Sequence, residues 1–278
     1  MSRLNKRSIW GALPIQLLLT VLALLVLIPL VWLFLSAFKP EKEIISWPPT
    51  FFNRTFTWAN FDTVHKRIDI SRYVLNSVIY AFGTTAMAVV INSLAGYAYA
   101  RMKFVGKNAL FLLTLATMMV PFQVIMVPSF LVVFKLGMYN TYWGLMIPRV
   151  AVAASIFMMR AAFSVIPVEL EDAARIDGLN ELGIFSRIMV PQVKSTLVCM
   201  VVLSINGSWN DLLWPMLVAT DTSMRTLANG LALFVGQHTI QYGAAFAGAL
   251  ISILPMFLLY LFGQRYFVEG MVGSGLKA

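Results

Sequence analysis

Six long apolar stretches divide this chain, at roughly 14–38, 74–100, 109–134, 142–163, 195–219 and 243–267. Each reaches the about 20 predominantly apolar residues that a helix needs to cross the hydrocarbon core of a bilayer. In lipid, the backbone polar groups of a spanning segment have to be satisfied within it, so stretches of this kind predict helices. The expected fold class is therefore all-α integral membrane, with six transmembrane helices.

Composition agrees. The chain is 59% hydrophobic and only 12% charged, whereas soluble domains are about 45–50% apolar. The net charge of +9 comes from Lys and Arg residues that flank the apolar stretches. That placement suits anionic headgroups and topology rather than nucleic acid. The single cysteine, Cys199, lies within an apolar run and has no second cysteine to pair with. The basic start (Arg3, Lys6, Arg7) is followed by an apolar run from Leu13 to Phe38. This run exceeds the about 7–15 residues of a signal-peptide core, so an uncleaved first span is expected. With Arg3, Lys6 and Arg7 inside, six spans put both termini in the cytoplasm. Arg101, Lys103, Lys107, Arg160, Arg175, Arg187, Lys194, Arg265 and Lys277 then also lie inside, and Lys39, Lys42, Arg54, Lys66, Arg67, Arg72, Lys135 and Arg225 outside. The positive-inside bias supports this orientation by a small margin. The expected organisation is a cytoplasmic tail over 1–13, a six-helix membrane domain over 14–268, and a cytoplasmic tail over 269–278.

The outer loop 39–73 holds Trp47-Pro48-Pro49 and Trp58-Ala59-Asn60-Phe61. Its prolines forbid one continuous helix. It reads as an interfacial loop with aromatics at headgroup level, or as a contact surface for an external partner. His65 and His238 fall outside the spans and form no metal pair. No Walker A pattern is present, so this chain is not expected to hold ATP through a P-loop.

Between the fourth and fifth stretches, region 164–191 contains Pro167 to Pro191, reading PVELEDAARIDGLNELGIFSRIMVP. Five of the chain's twelve acidic residues are here: Glu169, Glu171, Asp172, Asp177 and Glu181. Pro167 suits a helix start, and the first-turn acids suit its positive end. Glu171 and Arg175 are spaced for an i,i+4 pair. Leu170, Ala173, Ala174 and Asp177 are spaced to share one narrow face of small residues. Gly178 is placed to end the helix in a left-handed turn. Asn180 can cap a second helix reaching Met189, with Pro191 at its limit. By geometry alone this is an amphipathic hairpin on the bilayer surface or a docking element for a partner in water.

The string from Glu171 to Gly178 (EDAARIDG), followed by Ile188-Met189-Val190-Pro191, closely resembles the EAA motif of ABC importer permeases. Asp172 stands where the motif usually has Glu, and Val190 replaces a leucine. Asn76-Ser77, Trp209-Asn210-Asp211 and the tail Gly270 to Ala278 resemble the second permease of maltose-type carbohydrate importers, and the similarity runs over nearly the whole chain. The resemblance implies that the charged region is a coupling helix seated in a cleft of a cytoplasmic ATPase. Leu170, Glu171, Asp172, Ala173, Ala174, Asp177 and Gly178 would then be its coupling residues. It also implies a second permease subunit, two ATPase subunits carrying ATP and Mg, and an extracytoplasmic sugar-binding protein. No cofactor is expected on this chain itself, and its location would be a bacterial cytoplasmic membrane.

Ionisable and amide groups within spans usually face a bundle interior or a cavity. Arg149, Asn206, Trp209, Asn210 and Asp211 are the candidates for a sugar path, with Trp209 or Trp214 stacking on a ring. The competing reading is structural, with these groups joining helices to one another; Asn92 and Gln123 fall under the same pair of readings. No nucleophile–base or metal-ligand cluster is visible. A secondary transporter driven by an ion gradient is the alternative function, but it calls for midplane acids and internal repeats; here the midplane is nearly free of acids and no repeat is evident.

Overall fold

The structure, a computed structural model, describes residues 6–235 and 241–275. His238 and the extreme termini of the expected tails lie outside the described residues. All regular structure among the described residues is helical. The chain divides into two units, residues 1–69 with 231–254, and residues 70–230 with 255–278.

In the first unit, helix Lys6–Ala37 continues to its end without a break despite Pro14 and Pro29. Its stretch Pro14–Ala37 has a mean hydropathy of 2.9, and its most apolar window has no buried residue. A helix this apolar and this exposed is built to face lipid. The chain then folds back on it through two short helices, Glu41–Ile44 and Ala59–Arg67. Lys39, one of the charges expected on the outer side, is 1% exposed. Its ammonium donates to the carbonyls of Thr50 and Phe51 and lies 4.5 Å from the centre of the Trp32 ring. The Asn60 amide donates to the Ala37 and Lys39 carbonyls at 2.9 and 2.8 Å. The Glu41 carboxylate accepts from the Tyr242 and Gly243 N–H groups at 2.9 and 2.8 Å. It thereby satisfies two of the orphan donors that open helix Tyr242–Gly275. The outer loop is thus a folded piece, with Trp47 and Trp58 left exposed on it.

The second unit is organised around helix Ile70–Arg101, 32 residues long. Its buried positions (Tyr73, Asn76, Ser77, Tyr80, Ala81, Thr84, Thr85, Ala88, Asn92, Ser93, Gly96, Tyr97) recur at steps of three and four. Most are small or hydroxylic, as helix contacts in membranes require when there is no hydrophobic drive between helices. This face packs on helices Ala153–Ser164 and Lys194–Trp209. A Cβ on Gly96 would sit 2.6 Å from Met159 Cβ and 2.9 Å from the Arg160 backbone nitrogen. Gly96→Ala therefore overpacks the contact and is expected to cost about 1–3 kcal/mol. A melting temperature in detergent equal to that of the unsubstituted chain would refute this close approach.

Three of the six expected spans are not single helices. Lys107–Met119 meets Phe122–Lys135 at 105°, Tyr142–Arg149 meets Ala153–Ser164 at 51°, and Glu181–Gln192 meets Lys194–Trp209 at 85°. Three continuous helices, Pro14–Ala37, Ile70–Arg101 and Tyr242–Leu261, are long and apolar enough to cross a membrane, and up to six spans result if each bent pair is one. The first two breaks sit at Pro121 and just after Pro148, where a ring replaces an N–H and weakens the helical ladder; the third falls at Val193, two residues beyond Pro191. The second break is closed by Asn92, whose amide donates to Val150 O at 3.0 Å and accepts from Val152 N at 3.1 Å. Broken helices at membrane depth depend on such partners for their freed backbone groups. The fifth expected stretch, 195–219, breaks after Trp209 and resumes as the short helix Leu213–Val218.

Candidate functional site: the acidic elbow

Helix Ala153–Ser164 ends at Ser164, and a four-residue link leads to helix Glu169–Ile176. Glu169, Glu171 and Asp172 occupy its first turn and Arg175 its last, each on the side of the helix dipole that favours its charge. The helix closes with a Schellman motif: Gly178 N–H donates to Arg175 O at 3.1 Å and Leu179 N–H to Ala174 O at 3.0 Å. Gly178 has φ +83°, the left-handed conformation that glycine alone adopts without a Cβ penalty. Asn180 then caps the next helix, its side-chain oxygen accepting from Gly183 N at 2.8 Å. That second helix passes through a π-helical stretch, Ile184–Met189, and on past Pro191 to Gln192. Pro191 sits in its last turn, not beyond its limit.

Burial separates the sequence-predicted residues into two groups. Leu170, Asp172, Ala173, Asp177 and Gly178 are exposed, and so is Ile176, at 86%. Glu171 and Ala174 are 2% and 4% exposed and point into the chain's own core. The expected shared face of Leu170, Ala173, Ala174 and Asp177 is therefore corrected. At about 100° per residue, Ala174 turns with Glu171 toward helix Ile70–Arg101, while Leu170, Ala173, Ile176 and Asp177 form the outward side. Ala174 packs among Tyr97, Phe163, Ile166, Ile184 and Met189.

Around Glu171 the charges form a chain. Arg101 Nε lies 2.8 Å from Glu171 Oε1, an ionic contact without the alignment of a full hydrogen bond. Arg175 reaches Glu171 Oε2 at 3.4 Å, Asp172 Oδ1 at 3.0 Å and Glu181 Oε1 at 3.1 Å. Tyr97 Oη donates to Glu181 Oε2 at 3.1 Å. Arg101 also donates to Ile166 O. Arg101 and Tyr97 were not legible as site residues. The first reads as an ordinary topology charge at the end of a span, and the second lies inside an apolar stretch with no motif around it.

The hydrogen bond from Arg175 holds the Glu181 carboxyl below the usual carboxylate range, and it raises Arg175 in turn. A carboxyl lowered on folding contributes stability that is complete above its unfolded value, about 4.3, and is lost as pH falls through the lower folded value. The elbow is therefore expected to keep its protection from amide exchange between pH 7 and 5 and to lose a small part of it below about 4, since the pair is exposed and screened. An elbow that loosens between pH 7 and 6 would contradict this assignment.

The second candidate cluster is structural in this fold. Asp211 Oδ2 lies 3.3 Å from Arg149 Nε and accepts from Tyr80 Oη at 2.9 Å. Arg149 also lies 4.2 Å over the Phe122 ring. Trp209 and Trp214 are 4% and 0% exposed, and the Trp214 indole N–H is directed at the carbonyls of Gly144 and Leu145. Neither ring offers a face for sugar stacking, which corrects that expectation. Asn206 and Asn210 are exposed and joined at 2.9 Å, whereas Arg149 and Asp211 are half-buried and paired with each other. No group of His, Cys, Asp and Glu able to hold a metal occurs among the described residues.

The sequence profile of the family described as "Binding-protein-dependent transport system inner membrane component" matches residues 88–271. An arabinooligosaccharides transport system permease protein, AraQ, of Halalkalibacterium halodurans is 35% identical over 92% of this chain and 93% of its own length. The lactose transport system permease protein LacG of Rhizobium radiobacter is 32% identical, with the same 92% and 93% coverage. Among solved structures, a chain of a bacterial ABC transporter that imports the acidic polysaccharide alginate superposes with a TM-score of 0.79 at 20% identity, over 96% of this chain and all of that one.

Proposed function

Because this chain belongs to the family of binding-protein-dependent transport system inner membrane components, we propose that it carries an oligosaccharide across a bacterial membrane as one permease subunit of an ATP-driven ABC importer. It is a transport subunit, not an enzyme. In this reading a second permease completes the path, two ATPase subunits hold ATP and Mg, and an extracytoplasmic binding protein delivers the sugar. The elbow lies on the cytoplasmic side and seats in the ATPase, with both termini on that side as well.

The single observation that carries the reading is the outward side of helix Glu169–Ile176. Leu170 and Ile176 are 41% and 86% exposed on a short helix that lies outside the broken spans, with small Ala173 between them. Apolar side chains held out on a charged, capped helix suit a complementary groove better than water. Asp172 and Asp177, exposed beside them, suit polar contacts at the rim of that groove. Closure of the ATPases on ATP moves the elbow, and hydrolysis resets it. Asn206 and Asn210 are the groups of this chain best placed for sugar hydroxyls, since their amides both donate and accept.

Two measurements test the reading. The chain, purified from membranes, is expected to bring with it an ATPase subunit that has no spans of its own. Uptake of arabino-oligosaccharide or lactose into cells is expected to persist when ion gradients are collapsed and ATP is maintained. Uptake that stops with the gradients favours the secondary transporter and overturns the importer mechanism.

A further inference from the structure

The elbow is joined covalently to helices Ala153–Ser164 and Glu181–Gln192, and those are the two routes by which its motion can travel along the chain. Helix Ile70–Arg101 has no such connection: Arg101 is 65 residues from Ile166. Yet the last turn of that helix grips the elbow at several points. Arg101 Nε lies 2.8 Å from Glu171 Oε1, and its guanidinium also holds the Ile166 carbonyl just before the elbow. One turn earlier, Tyr97 Oη donates to Glu181 on the far side of the Gly178 turn. Arg175 closes the circuit between Glu171 and Glu181.

We propose that Arg101 is a positioning residue which, assisted by Tyr97, clamps the elbow to helix Ile70–Arg101 and delivers the elbow's movement sideways into that helix. The proposal rests on the reading of the elbow as the ATPase-coupled element. Burial decides which contact is stiff. The side chains of Glu171 and Arg101 are 3% and 14% exposed, whereas Arg175 is 43% and Glu181 51% exposed. Exposed pairs are screened and contribute little. A carboxylate as buried as Glu171 has to keep its cation, because leaving it alone in low dielectric is far costlier than breaking a surface pair. Arg101 is also fixed at its own end, since a cation in the last turn of a helix is favoured by the dipole. Around this pair the Tyr97 ring meets Phe163 and Phe185 at centroid distances of 5.7 and 5.3 Å, so the clamp is packed as well as charged. Helix Ile70–Arg101 lies along both Ala153–Ser164 and Lys194–Trp209, and two-thirds of the way back toward its start Tyr80 holds Asp211. Displacing its last turn therefore reaches the opposite half of this unit. Glu171, expected among the residues that meet the ATPase, takes an internal role in this arrangement.

The test is amide hydrogen exchange on the complex purified with its ATPase and partner permease, with and without Mg-ATP and orthovanadate. In the unmodified complex, exchange is expected to change together in the elbow and in the last two turns of helix Ile70–Arg101. In Arg101→Gln the elbow is expected to keep its response, while the response of those two turns falls by about threefold or more. Arg101→Lys, which keeps the charge, is expected to retain at least half of it, and the paired reversal of R101E with E171R to regain part of what R101E alone loses. Tyr97→Phe deletes one hydroxyl and leaves folding intact; it is expected to give a smaller fall in the same place. An elbow that responds while the helix end ignores both Arg101→Gln and Tyr97→Phe overturns the clamp alone. An elbow that does not respond in the unmodified complex overturns the coupling reading and the clamp with it.

Discussion

Gly178→Pro is expected to leave the chain inserted in the membrane and to reduce ATP-driven uptake by at least about tenfold, a change worth about 1.4 kcal/mol or more in coupling. Two effects act together. Gly178 holds φ at +83°, and proline is confined near −65°. Its N–H also donates to Arg175 O at 3.1 Å, and proline has none to give. The Schellman turn would open, and the Leu179 N–H bond to Ala174 O would open with it. The helices on either side of the turn would lose the angle that sets the elbow's outward side. Gly178→Ala is the control. No atom lies within 4 Å of its added Cβ, so only the left-handed penalty of about 1 kcal/mol applies, and the loss should be intermediate. Ile176→Asp separates shape from contact: it leaves the turn intact, places a charge on the exposed apolar side, and is expected to cut capture of the ATPase subunit. Ala174→Asp does not serve that purpose, because Ala174 is packed inside the chain's own core and a carboxylate there disrupts the elbow itself. If uptake by Gly178→Pro equals that of the unsubstituted chain, the elbow is not the coupling element.

The second large effect is expected at Asp211. Removing one partner of a buried pair strands the other, at a cost of about 3–5 kcal/mol. Here the Asp211 side chain is 8% exposed but Arg149 is 30% exposed, so solvent recovers part of that cost. Asp211→Ala should therefore destabilise by about 2–3 kcal/mol, since it also takes the acceptor from Tyr80. Arg149 and Asp211 replaced together by leucine should cost less than Asp211→Ala alone, because no charge is then stranded. Thermal unfolding in detergent distinguishes the cases. A single variant no less stable than the double one would show that the two residues do not act as a pair.

Much of this architecture was legible in the residues. The six apolar stretches fall where the structure has helices, and the all-α class follows from the absence of water in lipid to satisfy any other backbone. The elbow was legible in greater detail. Its first-turn acids, the Glu171–Arg175 spacing, the Gly178 turn and the Asn180 cap are each set by interactions within about four residues, and the structure has all of them. The interruption of the third, fourth and fifth spans was not legible. Pro121 and Pro148 read as prolines of the kind that membrane helices tolerate or absorb as kinks. Whether a proline bends a helix gently or breaks it depends on partners distant in sequence, such as the Asn92 amide that receives the freed groups at Val150 and Val152.

The same division holds within the site. Helical spacing placed Ala174 with Leu170 because the periodicity of a short helix identifies which residues are neighbours, and leaves open which side is turned inward. Trp209, Trp214, Arg149 and Asp211 carried the chemistry of a sugar path, and the fold spends them on its own interior. Local sequence determined by itself that the chain lives in a bilayer, that it is helical, and that a charged, glycine-turned elbow interrupts it. Tertiary structure alone decided that Glu171 faces Arg101 and that the elbow is tied to a helix 65 residues away. Contacts at that range are selected by the packing of whole helices, which no local run of residues encodes.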